Sequence, residues 1–369
     1  MSKTVLISGA GIAGSTLAYW LGRNGFDVTV VERAEMPRSS GNPVDVKGPA
    51  VDVVEGMGVM PRLRAAASQV ERMSFVDATG RERSGLRLSA FQGGAGDREV
   101  EVARADLAAI LLGAAREQAE IRWADSISEI AQDADGVDVV FGNGDRGRYD
   151  YLIGADGLHS NVRGLVFGPE AEFLRHLGMY AATLPVGRAF GNEREVIMFN
   201  RPGQAISVHP SKGKAVAAFM FRHDAVPGLG HRDLDGHKRL IAEAFSGPIG
   251  IFGDLLDQVD AADDLYFDSV SQVRLPRWSE GRVALLGDAG SCLSLFGDGS
   301  TLAIAGAHTL AEELIRTPDH PHTAFAAYER RHRKLVEPKQ RGMRVASTLM
   351  VPATSAGIVV RNAVTRFLR

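Results

Sequence analysis

The sequence predicts an α/β fold with an α+β insert: a Rossmann-like parallel-sheet domain, an inserted antiparallel sheet and C-terminal helices. Three observations predict it. A strand-turn-helix-strand module opens the chain. Short strand-like runs separated by turn residues fill the middle third. Continuous apolar runs of the kind buried on both faces recur before and after that insert, each leading into a Gly/Asp cluster.

In the opening module, Val5-Leu6-Ile7 reads as a doubly buried strand. Ile12, Leu17, Ala18 and Leu21 then fall at helical spacing, and Asn24-Gly25 supplies the stop. Val28-Thr29-Val30-Val31 is the second strand and ends at Glu32-Arg33. A loop-rich stretch follows, with a helix expected after Pro49. Arg104–Arg116 is amphipathic through Leu107, Ile110, Leu111 and Ala114. Gly136–Phe141 alternates as a strand, and Tyr151-Leu152-Ile153 leads into Gly154-Ala155-Asp156-Gly157. Glu195–Phe199, Ala205–His209 and Ala215–Phe221 are the strands of the insert, broken by Pro-Gly and Lys-Gly turns. Val283-Ala284-Leu285-Leu286 returns to the buried pattern and leads into Gly287-Asp288-Ala289-Gly290 and Gly297-Asp298-Gly299. From about Ser300 the chain reads as helices. The expected division is 1–70, 101–168 and 277–330 for the Rossmann-like domain, 71–100 and 169–276 for the insert, and 331–369 for a C-terminal helical segment.

The 369 residues carry 42 Lys+Arg against 45 Asp+Glu, a formal charge of -3. That balance argues against nucleic acid as the main partner, because its footprint is a basic excess. The single cysteine, Cys292, excludes an internal disulfide and a cysteine-based zinc site. With no signal-peptide pattern, a reducing cytoplasm is expected. The longest uncharged apolar stretch, Val345–Val360, is interrupted by Pro352 and falls short of the ~20 residues that span a bilayer, so no stable membrane insertion is expected. The basic run Arg330–Lys334, with Glu312, Glu313 and Glu329 nearby, reads as a solvated, ion-paired helix face.

Gly9, Gly11 and Gly14 carry the dinucleotide fingerprint. The first permits the tight turn, the second lets a pyrophosphate approach the backbone, and the third allows close helix–strand packing. The following helix presents free N–H groups and a partial positive charge to the phosphates. Glu32, 18 residues beyond Gly14, is placed to accept hydrogen bonds from adenosine ribose hydroxyls and to repel a 2′-phosphate. No second such motif is present, which argues against an enzyme with separate flavin and nicotinamide folds. Asp156 and Asp288 each follow an apolar strand, at the carboxyl ends where open α/β sheets bind ligands.

The ordered set Gly9-Ala10-Gly11-Ile12-Ala13-Gly14, Asp156-Gly157 and Gly287-Asp288 resembles the class A flavoprotein aromatic monooxygenases of the para-hydroxybenzoate hydroxylase type. The compact length is similar to the branch with tetracycline-inactivating and antibiotic-tailoring hydroxylases. The resemblance implies a Rossmann-like FAD-binding domain, and a substrate-binding domain formed by the insert. It places FAD against Gly9, Gly11, Ile12, Ala13, Gly14, Glu32, Arg33 and Arg104, with Asp156 serving FAD and the nicotinamide and Asp288 the ribityl chain. Gly297 and Gly299 are expected to turn backbone N–H groups toward the flavin N1 and C2 carbonyl, where negative charge develops on reduction. Two departures stand out: Ser291 follows Gly290 where the family often has His, and Leu295-Phe296 precedes Gly297 without Pro.

The implied activity is hydroxylation of an aromatic or polyketide-like phenol or enol through a flavin C4a-hydroperoxide, with O2 and transient NADPH or NADH as co-substrates. The protein is expected to act as a monomer or homodimer. No catalytic side chain is assigned and no metal site is expected. Within the fold, Trp20, Trp123 and Trp278 form no Trp-x-Trp halogenase motif. A reductase or oxidase of the same fold, or a non-catalytic FAD-containing sequestering protein, remain the alternatives. The residues Met198, His209, Met220 and Phe221 are candidates for the pocket wall, with strand register left open. The segment from Leu349 is expected to close over the substrate side or to pack between subunits.

Overall fold

The computed structural model describes residues 2–36, 42–87, 98–263, 265–293 and 298–366. In chain order, β1 (Thr4–Ser8), α1 (Ile12–Arg23) and β2 (Asp27–Glu32) open the fold, followed by β3 (Pro43–Val46), α2 (Pro49–Gly56) and α3 (Met60–Ala66). Then come β4 (Arg72–Val76), β5 (Glu82–Arg87), β6 (Val100–Ala103), α4 (Arg104–Ala115) and β7 (Glu120–Trp123). A meander of β8 (Ile127–Gln132), β9 (Val137–Phe141) and β10 (Arg146–Tyr149) precedes β11 (Tyr151–Gly154), α5 (Asn161–Val166) and α6 (Glu170–Phe173). The long strand β12 (Leu174–Pro185) leads to β13 (Glu195–Arg201), β14 (Gln204–His209), β15 (Val216–Arg222), α7 (Leu234–Ala244), α8 (Asp254–Ala261) and β16 (Tyr266–Val273). The chain closes with β17 (Ser279–Glu280), β18 (Val283–Leu285), α9 (Asp288–Ser291), α10 (Asp298–Arg316), α11 (Pro321–Met350) and α12 (Ser355–Arg366).

The first layer is a six-stranded sheet in the order β17-β18-β11-β1-β2-β7. Its strands β1, β2, β7, β11 and β18 pair in parallel, so the carboxyl ends of β18, β11, β1 and β2 share one edge. Val5, Leu6 and Ile7 have no exposed surface, as their unbroken apolar run requires. The helix α1 is buried on nearly every side because α4 and α10 pack against it.

The second layer is a seven-stranded sheet, β16-β12-β15-β14-β13-β4-β5. Most pairings are antiparallel, as the turn pattern predicts, but β13 pairs with β4 in parallel, which brings residues 72–87 into the sheet. Its two faces belong to two cores. Ile206, Val208, Phe219, Phe221 and Phe267 face α7 and α8, whereas Phe75, Met179, Ala181, Met198, Ala205 and Met220 share the core of the parallel sheet. A one-residue alternation makes this division.

The helix α11 runs without a break through residue 330, with Pro338 inside it, so the expected segment starting at 331 begins within a helix. Glu313 is buried rather than solvated. Arg331 and Arg316 neutralise it, so the face is ion-paired as expected but is not solvated at Glu313. Among the described residues no single helix is long and apolar enough to cross a membrane; α11 and α12 meet at 100°. The latter packs on β5 and β13, over the sheet rather than away from it.

Candidate functional site

Most of the residues singled out in the sequence meet at the shared edge of the parallel strands. Gly9, Gly11, Ile12, Ala13 and Gly14 form the turn from β1 into α1, Glu32 and Arg33 end β2, Asp156 follows β11, and Asp288 follows β18. Gly299 lies in the first turn of α10, and Arg104 starts α4. Gly297 lies outside the described residues.

The turn after β1 fits a pyrophosphate. Gly9 takes φ +108°, and a Cβ there would stand 2.5 Å from the Ala155 carbonyl oxygen, so only glycine lets the two loops touch. A Cβ on Gly14 would lie 1.9 Å from the Gly9 oxygen, whereas one on Gly11 would meet nothing within 4 Å. The open side is thus at Gly11. The first bond of α1 is Ser15 N–H to the Gly11 carbonyl, leaving the amides of Ile12, Ala13 and Gly14 as free helix-end donors. No side chain caps this helix and its first turn carries no acidic residue. Glu32 accepts from Ala10 N–H at 2.9 Å and Ala34 N–H at 3.0 Å, one on each oxygen, which fixes the carboxylate beside that opening. Each oxygen keeps a lone pair for a hydroxyl donor.

Asp156 has a different local duty. Its carboxylate accepts from Ser160 Oγ (2.5 Å) and from the amides of Asn161 (2.9 Å) and Val162 (3.1 Å), tying the Gly154–Gly157 turn to the start of α5. Burial raises its pKa despite these donors. The wholly buried Arg163 fastens the same helix to the Gly-Asp segment after β18, donating to the carbonyls of Leu158 (2.7 Å) and Ala289 (3.1 Å) and to Glu170 (2.7 Å).

Asp288, Arg104 and Tyr266 form an electrostatically linked group. Tyr266 is 40% exposed and Asp288 is partly exposed, yet desolvation raises the pKa of both. Arg104 lowers the pKa of Asp288 and of Tyr266 electrostatically, and the Cys292 thiol hydrogen-bonds Asp288. Cys292 is therefore a buried partner of the aspartate. The first turn of α10 is anchored beside it: Asp298 pairs with Lys47 (3.2 Å) and Lys339 (2.8 Å), and Ser300 Oγ donates to the Asp45 carbonyl.

The strand register divides the candidate residues between the two sheet faces. Met198, His209 and Met220 have the parity of the face turned toward the parallel sheet, and Phe221 lies on the opposite face. Thr183, paired with Tyr266 across β12 and β16, is on the Tyr266 face, and its buried hydroxyl has no partner among the described residues.

Several residues had no role assigned from sequence. His159 sits between Glu170 (3.0 Å) and Asp268 (3.2 Å) and stacks on His231 at 4.3 Å. Burial opposes its charge, but the two carboxylates prevail and raise its pKa to about 9. His231 moves the other way, through burial and the neighbouring His159 charge, with Arg33 adding to the effect. Positions 159, 231 and 268 lie on three separate elements, so no local spacing signals them.

The chain is similar to known proteins along nearly its whole length. The profile of the FAD binding domain family matches residues 2–337. An uncharacterized protein of Mycobacterium tuberculosis is 38% identical over 92% of each chain. A flavin-dependent monooxygenase of Legionella longbeachae is 32% identical over 95% of this chain and 91% of its own. The crystal structure of tetracycline destructase Tet(51) superposes with a TM-score of 0.85 at 30% identity, covering 100% of this chain and 96% of that one.

Proposed function

The chain belongs to the FAD binding domain family and is an FAD-dependent monooxygenase, and from that premise we propose that it hydroxylates an electron-rich phenol or enol carbon of an aromatic or polyketide-like molecule, with NAD(P)H as reductant. The observation that carries this reading is the register of the seven-stranded sheet. It turns Met198, Ala205 and Met220 toward the core of the parallel sheet, and sets Tyr266 within electrostatic reach of Asp288. An apolar wall with small residues, opposite the cofactor edge, suits a flat ring substrate. Residues 71–100 and 169–276 are accordingly assigned to substrate binding.

When bound, FAD supplies the redox chemistry, accepting electrons from NAD(P)H and activating O2. The residues of the chain bind and orient. The amides of Ile12, Ala13 and Gly14 would hold the pyrophosphate, Glu32 the adenosine ribose and Asp288 the ribityl chain. The start of α10, at Gly299, would offer its positive end to charge that develops on reduction. Arg33 and Arg104 add positive charge at the two ends of the site, and Asp156 keeps the Gly154–Gly157 turn in shape. The Thr183 hydroxyl offers one hydrogen bond to substrate. Helix α12 covers the β5 and β13 end of the sheet and limits water there.

The test uses the yellow holoprotein. NADPH and NADH oxidation are recorded with tetracycline and simple phenols, and products are analysed after reaction under 18O2. One labelled oxygen in the product is expected. Reduction or dehydrogenation without label would overturn hydroxylation in favour of a reductase or oxidase.

A further inference from the structure

Helix α12 is turned inside out. Its outer side is Ala356, Val359, Val360, Ala363 and Val364, all exposed, and the three valines are each more than half exposed. Its inner side carries the polar groups. Arg361 and Thr365 are buried and donate to Asn200 Oδ1 at 2.9 Å and to Ser84 Oγ at 3.2 Å. A helix on a protein surface ordinarily turns its polar side to water and its apolar stripe to the core. The apolar surface continues onto α11, where Val345 and Leu349, four residues apart on one side, are also more than half exposed. The elbow between the two helices is pinned. Val351 and Pro352 are buried, and their carbonyls accept from Arg222 Nε and Gly203 N–H, each at 2.8 Å. Single exposed apolar residues are ordinary, but a group of them held on a fixed scaffold marks an interaction surface.

The charge of this region points to what covers it. Residues 338–369 hold six basic residues and no acidic one, whereas the remaining chain holds 36 basic against 45 acidic residues. Glu337, the last acid in the chain, pairs with Arg333 at 3.9 Å. Arg341, one turn before Val345 on the same side of α11, and Arg344 are exposed and make no ion pair among the described residues. A second copy seated by two-fold symmetry would press this acid-free segment against itself, like charge on like. An anionic lipid surface complements both its charge and its apolar side. We propose that the α11–α12 elbow is a docking surface for an anionic phospholipid membrane. Val359, Val360 and Val364 enter the boundary between headgroups and acyl chains, and Arg341 and Arg344 meet lipid phosphates. The helices meet at 100°, and no single described helix is long and apolar enough to cross a membrane, so the segment lies along the surface. This property is separate from the oxygenation chemistry and holds whatever the substrate.

The FAD-loaded protein is mixed with sucrose-filled vesicles and sedimented. At low salt, vesicles of equimolar phosphatidylcholine and phosphatidylglycerol are expected to retain about tenfold more protein than vesicles of phosphatidylcholine alone, and molar salt should remove most of that difference. Val359→Ser combined with Val364→Ser removes apolar surface without changing charge. Arg341→Gln combined with Arg344→Gln removes charge without changing apolar surface. Each pair should weaken binding to the charged vesicles by about tenfold. Melting temperature and flavin content should stay at wild-type values, because all four side chains are exposed. Val360→Trp should gain fluorescence quenching over wild type when the acyl chains are brominated. Equal retention on the two vesicle types, or an unquenched Val360→Trp, would overturn the proposal. Binding that survives the serine pair would reduce it to adhesion of charge alone and overturn it as well. A dimer that forms without vesicles and is dissociated by the serine pair would assign the face to a second copy instead.

Discussion

The imidazole of His159 lies 3.2 Å from the Asp268 carboxylate, although 109 positions separate them in the chain. The contact joins the segment after β11 to β16, and so ties the parallel sheet to the sheet above it. Glu170 holds the other ring nitrogen at 3.0 Å. A protonated ring held by two carboxylates acts here as a strap between layers.

That strap gives a pH dependence. The pKa of His159 rises from 6.5 to about 9 on folding. Between those values the folded chain keeps a proton that the unfolded chain has lost. Its contribution, about 3 kcal/mol at most, is complete below pH 6.5 and disappears as pH rises through 9. Urea midpoints of wild type and His159→Gln should differ at pH 6 and converge near pH 9.5. Parallel profiles would show that the pair contributes nothing.

His332 predicts an acid limb of opposite sign. It is 1% exposed, both ring nitrogens lack partners among the described residues, and burial lowers its pKa to about 4. Between pH 6.5 and 4 the unfolded chain takes up a proton that the folded chain refuses, so stability falls on acidification, by about 3 kcal/mol across the window. His332→Leu should flatten that limb in denaturation curves at pH 7.5 and 5. Gly306→Ala, whose Cβ would stand 2.7 Å from the ring, should destabilise at every pH.

The fingerprint glycines separate cofactor binding from folding. Gly11→Ala has room in the protein and should keep the melting temperature of the apoprotein while flavin content drops several-fold. Gly14→Ala drives a methyl into the Gly9 carbonyl and should lower both. Flavin absorbance per protein and apoprotein thermal melts read the two effects. Unchanged flavin in Gly11→Ala would place the pyrophosphate elsewhere.

Asp156→Ala should cost about 1–3 kcal/mol of stability even without cofactor, because it strips the start of α5 of its carboxylate and leaves the amides of Asn161 and Val162 unpaired. Asp156→Asn should retain part of this. A variant with wild-type apoprotein stability would assign the residue wholly to ligand binding.

The chain order of residues carried much of this protein. The parallel-sheet module, the Gly9–Gly14 turn and the Gly-Asp strand ends are local patterns, since each needs only a strand, a turn and a helix start that neighbouring residues dictate. Tertiary structure decided the rest. Side chains alternate every residue along a strand, so Met198 and Met220 share a sheet face from which Phe221 is excluded only once the pairing register exists. The parallel joining of β4 to β13, the meeting of His159 with Asp268, and the placing of Arg361 over Phe75 unite residues far apart in the chain. No local propensity encodes such contacts; they follow from burying the two faces of the seven-stranded sheet in two cores.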